Sequence, residues 1–109
     1  MDVVFRTHKL ERIFNNREAL VKEYGRQCAQ KIIRRMWVLH AAPSLAAVPT
    51  RKPDRCHELR GNRRGVFAVD LAHPFRLVFE PYVIGEQQHT TLRKEEVTAI
   101  RVLGVEDYH

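Results

Sequence analysis

The chain has no run of about 18 apolar residues, the length a membrane-spanning helix needs, so no membrane span is expected. Its first residues, Met1-Asp2-Val3-Val4-Phe5-Arg6, lack the basic-then-apolar pattern of a secretion signal, and a cytoplasmic protein is expected. Nothing in it is repetitive or low in complexity. Cysteine is scarce: Cys28 and Cys56 stand without CxxC spacing, and in an intracellular chain reduced thiols are expected rather than a disulfide. The six histidines (His8, His40, His57, His73, His89, His109) are scattered, with no HxxxH and no Cys/His cluster. No metal and no cofactor is therefore expected. At 109 residues the chain can bury one core, and a single domain spanning 1–109 follows.

What is present in excess is positive charge. Lysine and arginine number 19 against 13 acids, a formal net charge of +6, and the sequence pI is near 9.8. Such a balance favours polyanions, with nucleic acid first among them. No lone basic amphipathic helix points to a membrane surface instead.

Apolar spacing gives the element order. Val3-Val4-Phe5 reads as a short strand, and Leu10, Ile13 and Phe14 lie at helical spacing over 8–14. Asn16 is placed to cap a helix starting at Arg17. Leu20, Val21, Tyr24, Cys28, Ile32, Met36 and Leu39 continue it as one core-facing stripe, bent or broken at Gly25 and ending by Pro43. Phe14, Tyr24 and Trp37 are expected in the core. A further helical turn fits 44–48, and the proline-rich stretch 49–54 reads as a loop. Residues 66–71 and 75–80 read as a hairpin turning at Ala72-His73-Pro74. In its second strand Phe75, Leu77 and Phe79 form the core face and Arg76 lies on the other. Residues 81–92 read as a polar excursion and 97–105 as the last strand. The class is α+β, with N-terminal helices packed on one face of a small antiparallel sheet.

Two segments carry chemistry. One is Cys56-His57-Glu58-Leu59-Arg60-Gly61-Asn62-Arg63-Arg64-Gly65, an imidazole and three guanidiniums around two glycines that suit turns. The other is the terminal Glu106-Asp107-Tyr108-His109, where an apolar strand runs into an acid, a phenol and a second imidazole. Brought together, two histidines and several arginines suit the cutting of a phosphodiester.

These two segments, with the strand Phe75-Arg76-Leu77-Val78-Phe79 between them, resemble the HigB branch of the RelE/ParE toxins, also called plasmid maintenance killer proteins. The shared pattern is a loop with His57, Leu59, Arg60, Gly61, Asn62, Arg63 and Gly65, an aromatic-arginine-aliphatic strand, and an Asp-Tyr-His end. It covers residues 55–109 with specificity and the first half only in shape. The N-terminal helical part is longer than in the shortest HigB proteins, and 81–92 is an insertion between strands.

The resemblance implies the toxin of a type II toxin–antitoxin pair: a metal-independent endoribonuclease that cuts mRNA in the ribosome and so inhibits translation. It implies a HigA-like helix-turn-helix antitoxin as partner, with operator DNA reached only through that antitoxin. In RNA cleavage the 2′-hydroxyl attacks, so a base, an acid and positive charge around the phosphate are needed. His57 and His109 are the candidate proton carriers, their two roles unassigned. Arg76 is the candidate phosphate clamp. Tyr108 is placed to stack on a base or bond a phosphate, and Asp107 to orient an imidazole or bond a base. Arg60, Arg63 and Arg64 are candidate RNA contacts, Arg64 at the periphery with Arg51 and Lys52. The plainer readings are a loop histidine at 57, a frayed end at 109, an aromatic closing the sheet edge at 108 and solvated charges elsewhere. Two rival functions share the fold: a non-catalytic corepressor bound to its antitoxin, and direct inhibition of a gyrase-type topoisomerase.

Overall fold

A computed structural model describes residues 1–83 and 93–107. Strand β1 (Asp2–Phe5) leads into helices α1 (His8–Phe14), α2 (Arg17–Tyr24) and α3 (Arg26–Ala41). Strands β2 (His57–Glu58), β3 (Phe67–Asp70), β4 (Phe75–Pro81) and β5 (Ala99–Asp107) follow, with short 3₁₀ turns at Leu45–Ala47, Gly61–Arg63 and Lys94–Glu96.

Local chemistry sets the helix limits. The Thr7 hydroxyl accepts from the Leu10 amide and the Asn16 side chain from the Ala19 amide, each capping the helix that follows. The long apolar stripe is broken at Gly25, whose φ of +84° ends α2 and restarts the chain as α3. At the far end of α3, the Met1 ammonium donates to the carbonyls of Leu39, His40 and Ala42.

The five strands form one sheet in the order β1-β5-β4-β3-β2. Neighbours from β5 to β2 are antiparallel, but β1 runs parallel to β5, so the sheet is mixed rather than purely antiparallel. The three helices between β1 and the later strands supply the crossover that a parallel pairing requires.

The helices cover one face. Leu20, Ile32 and Leu39 meet Val69, Leu77, Phe79, Ile100 and Val102 there, all essentially sealed from water. Each such side chain contributes about 1.5–3 kcal/mol through burial. Phe14 and Tyr24 pack against this core, ring edge to ring face. Two expected core residues do not belong to it. Trp37 is 76% exposed and Phe75 38% exposed. Trp37 falls outside the stripe of Ile32, Met36 and Leu39, and Phe75 sits at the start of β4, beyond the helices' cover. Across the sheet a second, smaller cluster joins Leu59, Ala68 and Val78.

Candidate active site

β5 carries one irregularity that decides what the open face presents. Up to Val102, which pairs with Phe79, core residues fall on even positions. A bulge then inserts Leu103, and Gly104 pairs with Val78, Val105 with Leu77 and Glu106 with Arg76. An extra residue flips every later side chain to the other face. Glu106 therefore stands beside Arg76 on the face away from the helices. Asp107 pairs with Phe75 and falls on the Val105 side.

The row that results alternates in sign. Arg63 reaches from the 3₁₀ turn to grip Glu106 with two bonds, 2.6 and 2.7 Å. Glu106 Oε1 lies 3.8 Å from Nη2 of Arg76. On the other side of Arg76, register places Asp70 of β3 directly opposite. Asp70 is itself gripped by Arg55, through Nε and Nη2 at 2.8 and 2.9 Å. Arg63, Glu106, Arg76, Asp70 and Arg55 thus carry three positive and two negative charges. The two-pronged bonds fix the flanking arginines in plane and direction. The Arg63 hydrogen bonds, opposed in part by burial, hold the Glu106 carboxyl below its ordinary value, with the Arg63 and Arg76 charges adding to the effect. The same bonds raise the Arg63 pKa.

His57 borders this row. On β2 it pairs with Ala68 of β3, two strands from Val78 on β4 and one pleat along from Arg76. Strand spacing then sets the two Cα atoms roughly 12 Å apart. That gap leaves room for a phosphodiester between the imidazole and the guanidinium. Nδ1 of His57 lies 2.9 Å from the Arg55 carbonyl oxygen. A carbonyl only accepts, so Nδ1 carries the hydrogen and the neutral ring keeps its lone pair at Nε2. That is the tautomer a general base needs. Burial pushes the thiol of adjacent Cys56 up to about 11, a rise that Lys94 opposes and Asp54 adds to; at neutral pH it stays protonated and is no nucleophile.

The loop is shaped for this placement. Gly61 and Gly65 adopt φ of +71° and +87°, and the Gly65 amide donates to the Glu58 carboxylate at 2.8 Å. Arg60 and Arg64 are exposed on the same loop, without a fixed place in the row. Tyr108 and His109, like most of the 81–92 excursion, lie outside the described residues. Of the sequence-based candidates, the structure brings Arg63 and Arg76 together through Glu106 and sets His57 near them. Sequence reading missed Glu106, Asp70 and Arg55 as members. The alternation of Asp70 with Val69 and of Arg76 with Leu77 was a signal for Asp70, but the bulge hid Glu106.

Among the described residues the row lies on the face of the sheet away from the helices. A groove of about 540 Å³ does lie between α2 and α3, lined by residues such as Val21, Arg26 and Ile33, but it holds none of the candidates. An extended polyanion is better served by a charged sheet face than by a closed pocket. Among the described residues no three His, Cys, Asp or Glu side chains gather as a metal site requires, and no helix is long and apolar enough to cross a membrane.

No protein-family model and no curated protein sequence matches the chain. Solved structures do. A YoeB/ParE toxin from Agrobacterium tumefaciens superposes with a TM-score of 0.59 at 12% identity, covering all of both chains. The YoeB dimer from Staphylococcus aureus gives 0.56 at 15% identity, covering all of this chain and 97% of that one. The YoeB–YefM complex from Staphylococcus aureus gives 0.57 at 13% identity with the same coverage. By superposition over its whole length, this chain has the fold of the YoeB/ParE toxins.

Proposed function

We propose that the chain is the toxin of a toxin–antitoxin pair, of the HigB branch, and that it cuts mRNA in the ribosome without a metal. The observation that carries this reading is the row Arg63–Glu106–Arg76–Asp70–Arg55 beside His57, on the face the helices leave open. That a solved structure of the same fold is a YoeB/ParE toxin supports it. In the reaction, Nε2 of His57 takes the proton of the 2′-hydroxyl as that oxygen attacks the phosphorus. Arg76 stabilises the charge that builds on the non-bridging oxygens, an effect such positioned donors supply most strongly. His109 protonates the leaving 5′-oxygen, Tyr108 stacks on a base, and Asp107, on the strand face opposite Arg76, orients the terminal imidazole rather than bonding a base. Arg60, Arg63 and Arg64 hold the strand. A HigA-like helix-turn-helix antitoxin neutralises the protein, as YefM accompanies YoeB in a solved complex, and links it to operator DNA.

Induced expression of the chain should stop protein synthesis, and primer extension should find breaks in translated messages that disappear where ribosomes are absent. Equal cutting of naked RNA would remove the ribosome from the account. Intact message with broken DNA would replace it with topoisomerase inhibition.

A further inference from the structure

Arg55 is the only described non-glycine residue with a positive φ, +47°, a conformation that costs an L-residue free energy and persists where surroundings hold it. What holds it is visible. On α3, Arg35 is 4% exposed and Asp54 beside it 6% exposed. Arg35 Nε donates to the Asp70 carbonyl at 2.6 Å and Nη2 to the Pro53 carbonyl at 3.2 Å, with Asp54 Oδ1 3.7 Å from Nε. The Asp70 amide donates in turn to the Asp54 carbonyl at 2.9 Å. A single buried guanidinium therefore ties the turn 53–55 to β3 and both to the helix layer.

Arg55 leaves that anchored turn in two directions. Its guanidinium grips Asp70, the carboxylate opposite Arg76. Its carbonyl accepts from Nδ1 of His57. One residue thus fixes the tautomer of the imidazole and the far end of the charged row. Neither link requires Arg55 to touch a substrate.

We propose that Arg55, held in its left-handed turn by the buried Arg35–Asp54 pair, is a positioning residue that locks the orientation and tautomer of His57. Its catalytic consequence rests on the reading of His57 as the base; its structural content does not. The grip on Asp70, which register sets opposite Arg76, makes the same side chain a spacer between the imidazole and the phosphate clamp.

Arg55→Gly and Arg55→Val separate the parts. Glycine accepts the positive φ and keeps the carbonyl in place while losing the grip on Asp70; β-branched valine opposes the positive φ and so moves the carbonyl. Nitrogen NMR of the His57 ring in the parent chain and in Arg55→Gly should show one tautomer, with hydrogen on Nδ1. In Arg55→Val, with the amide spectrum otherwise conserved, the two tautomers should average. Cleavage of ribosome-bound message should then lose roughly tenfold in kcat with KM changed by less than about twofold, a fraction of what a general base supplies. A single Nδ1–H tautomer and unchanged kcat in Arg55→Val would overturn the proposal, as would averaged tautomers in Arg55→Gly. Averaged tautomers with unchanged cleavage would uphold the positioning of His57 and instead remove His57 as the base. The NMR arm decides even if the parent chain cuts no RNA.

Discussion

The two faces of the sheet are built from the same strands and have almost nothing else in common. Toward the helices, Val69, Leu77, Phe79, Ile100 and Val102 are apolar and sealed. Away from them, Asp70, Arg76 and Glu106 stand in register, with Glu80 and Arg101 joined beyond at 2.6 Å. Strand alternation lets neighbouring residues serve opposite ends: one set supplies stability, the next supplies charge. The open face is not devoid of packing, for Leu59, Ala68 and Val78 support it from below. That small cluster gives the arginines a rigid floor, which a charged surface on loops would lack.

Substitutions on the two faces should therefore differ in kind. The largest effect belongs to the helix side. Phe79→Ala removes a ring that is wholly buried and stacked 6.2 Å from Phe67, and should cost about 3–5 kcal/mol in urea unfolding. Any loss of cleavage should then follow the unfolded fraction. A folded, stable Phe79→Ala chain would mean that the core lies elsewhere.

Glu106→Gln sharpens the comparison from the charged side. Because Arg63 holds the Glu106 carboxyl below its ordinary value, the folded state favours the ionised form. That contribution is complete above the ordinary carboxylate range and fades as pH falls toward the lowered value. The parent should therefore be the more stable at pH 7, by at most about 1 kcal/mol for a pair this exposed, and the difference should close in acid. A gap that widens in acid would contradict the pairing. The smallest effect is expected at Trp37, which is expected to change unfolding free energy by no more than about 0.5 kcal/mol on Trp37→Ala.

Much of this was legible in the residues, and the failures have physical causes. The cap at Asn16, the break at Gly25 and the 75–80 strand follow from local chemistry that acts over a few residues. Trp37 was misjudged because an aromatic near an apolar stripe looks like core, although its angular position takes it off the stripe. β1 was identifiable as a strand, but its parallel partner was not, since pairing across three helices leaves no local trace. The site was half visible. His57, Arg63 and Arg76 stand out by type and spacing, whereas Glu106 was masked by a bulge that reverses the alternation. Asp70 and Arg55 belong to a row assembled by register and by a buried arginine on α3, which no sequence spacing announces.

The central claim is that the open face does the chemistry, and Arg76 is its centre, only 16% exposed at the side chain and held on a middle strand. The most direct measurement is the rate of message cleavage on translating ribosomes by the parent chain and by Arg76→Ala, with both shown to be folded by circular dichroism. Loss of a charge-stabilising donor should slow cleavage about 10²-fold or more while the melting curve stays cooperative. Cleavage at the parent rate by a folded Arg76→Ala chain would contradict the account, for the row of charges would then be only a surface.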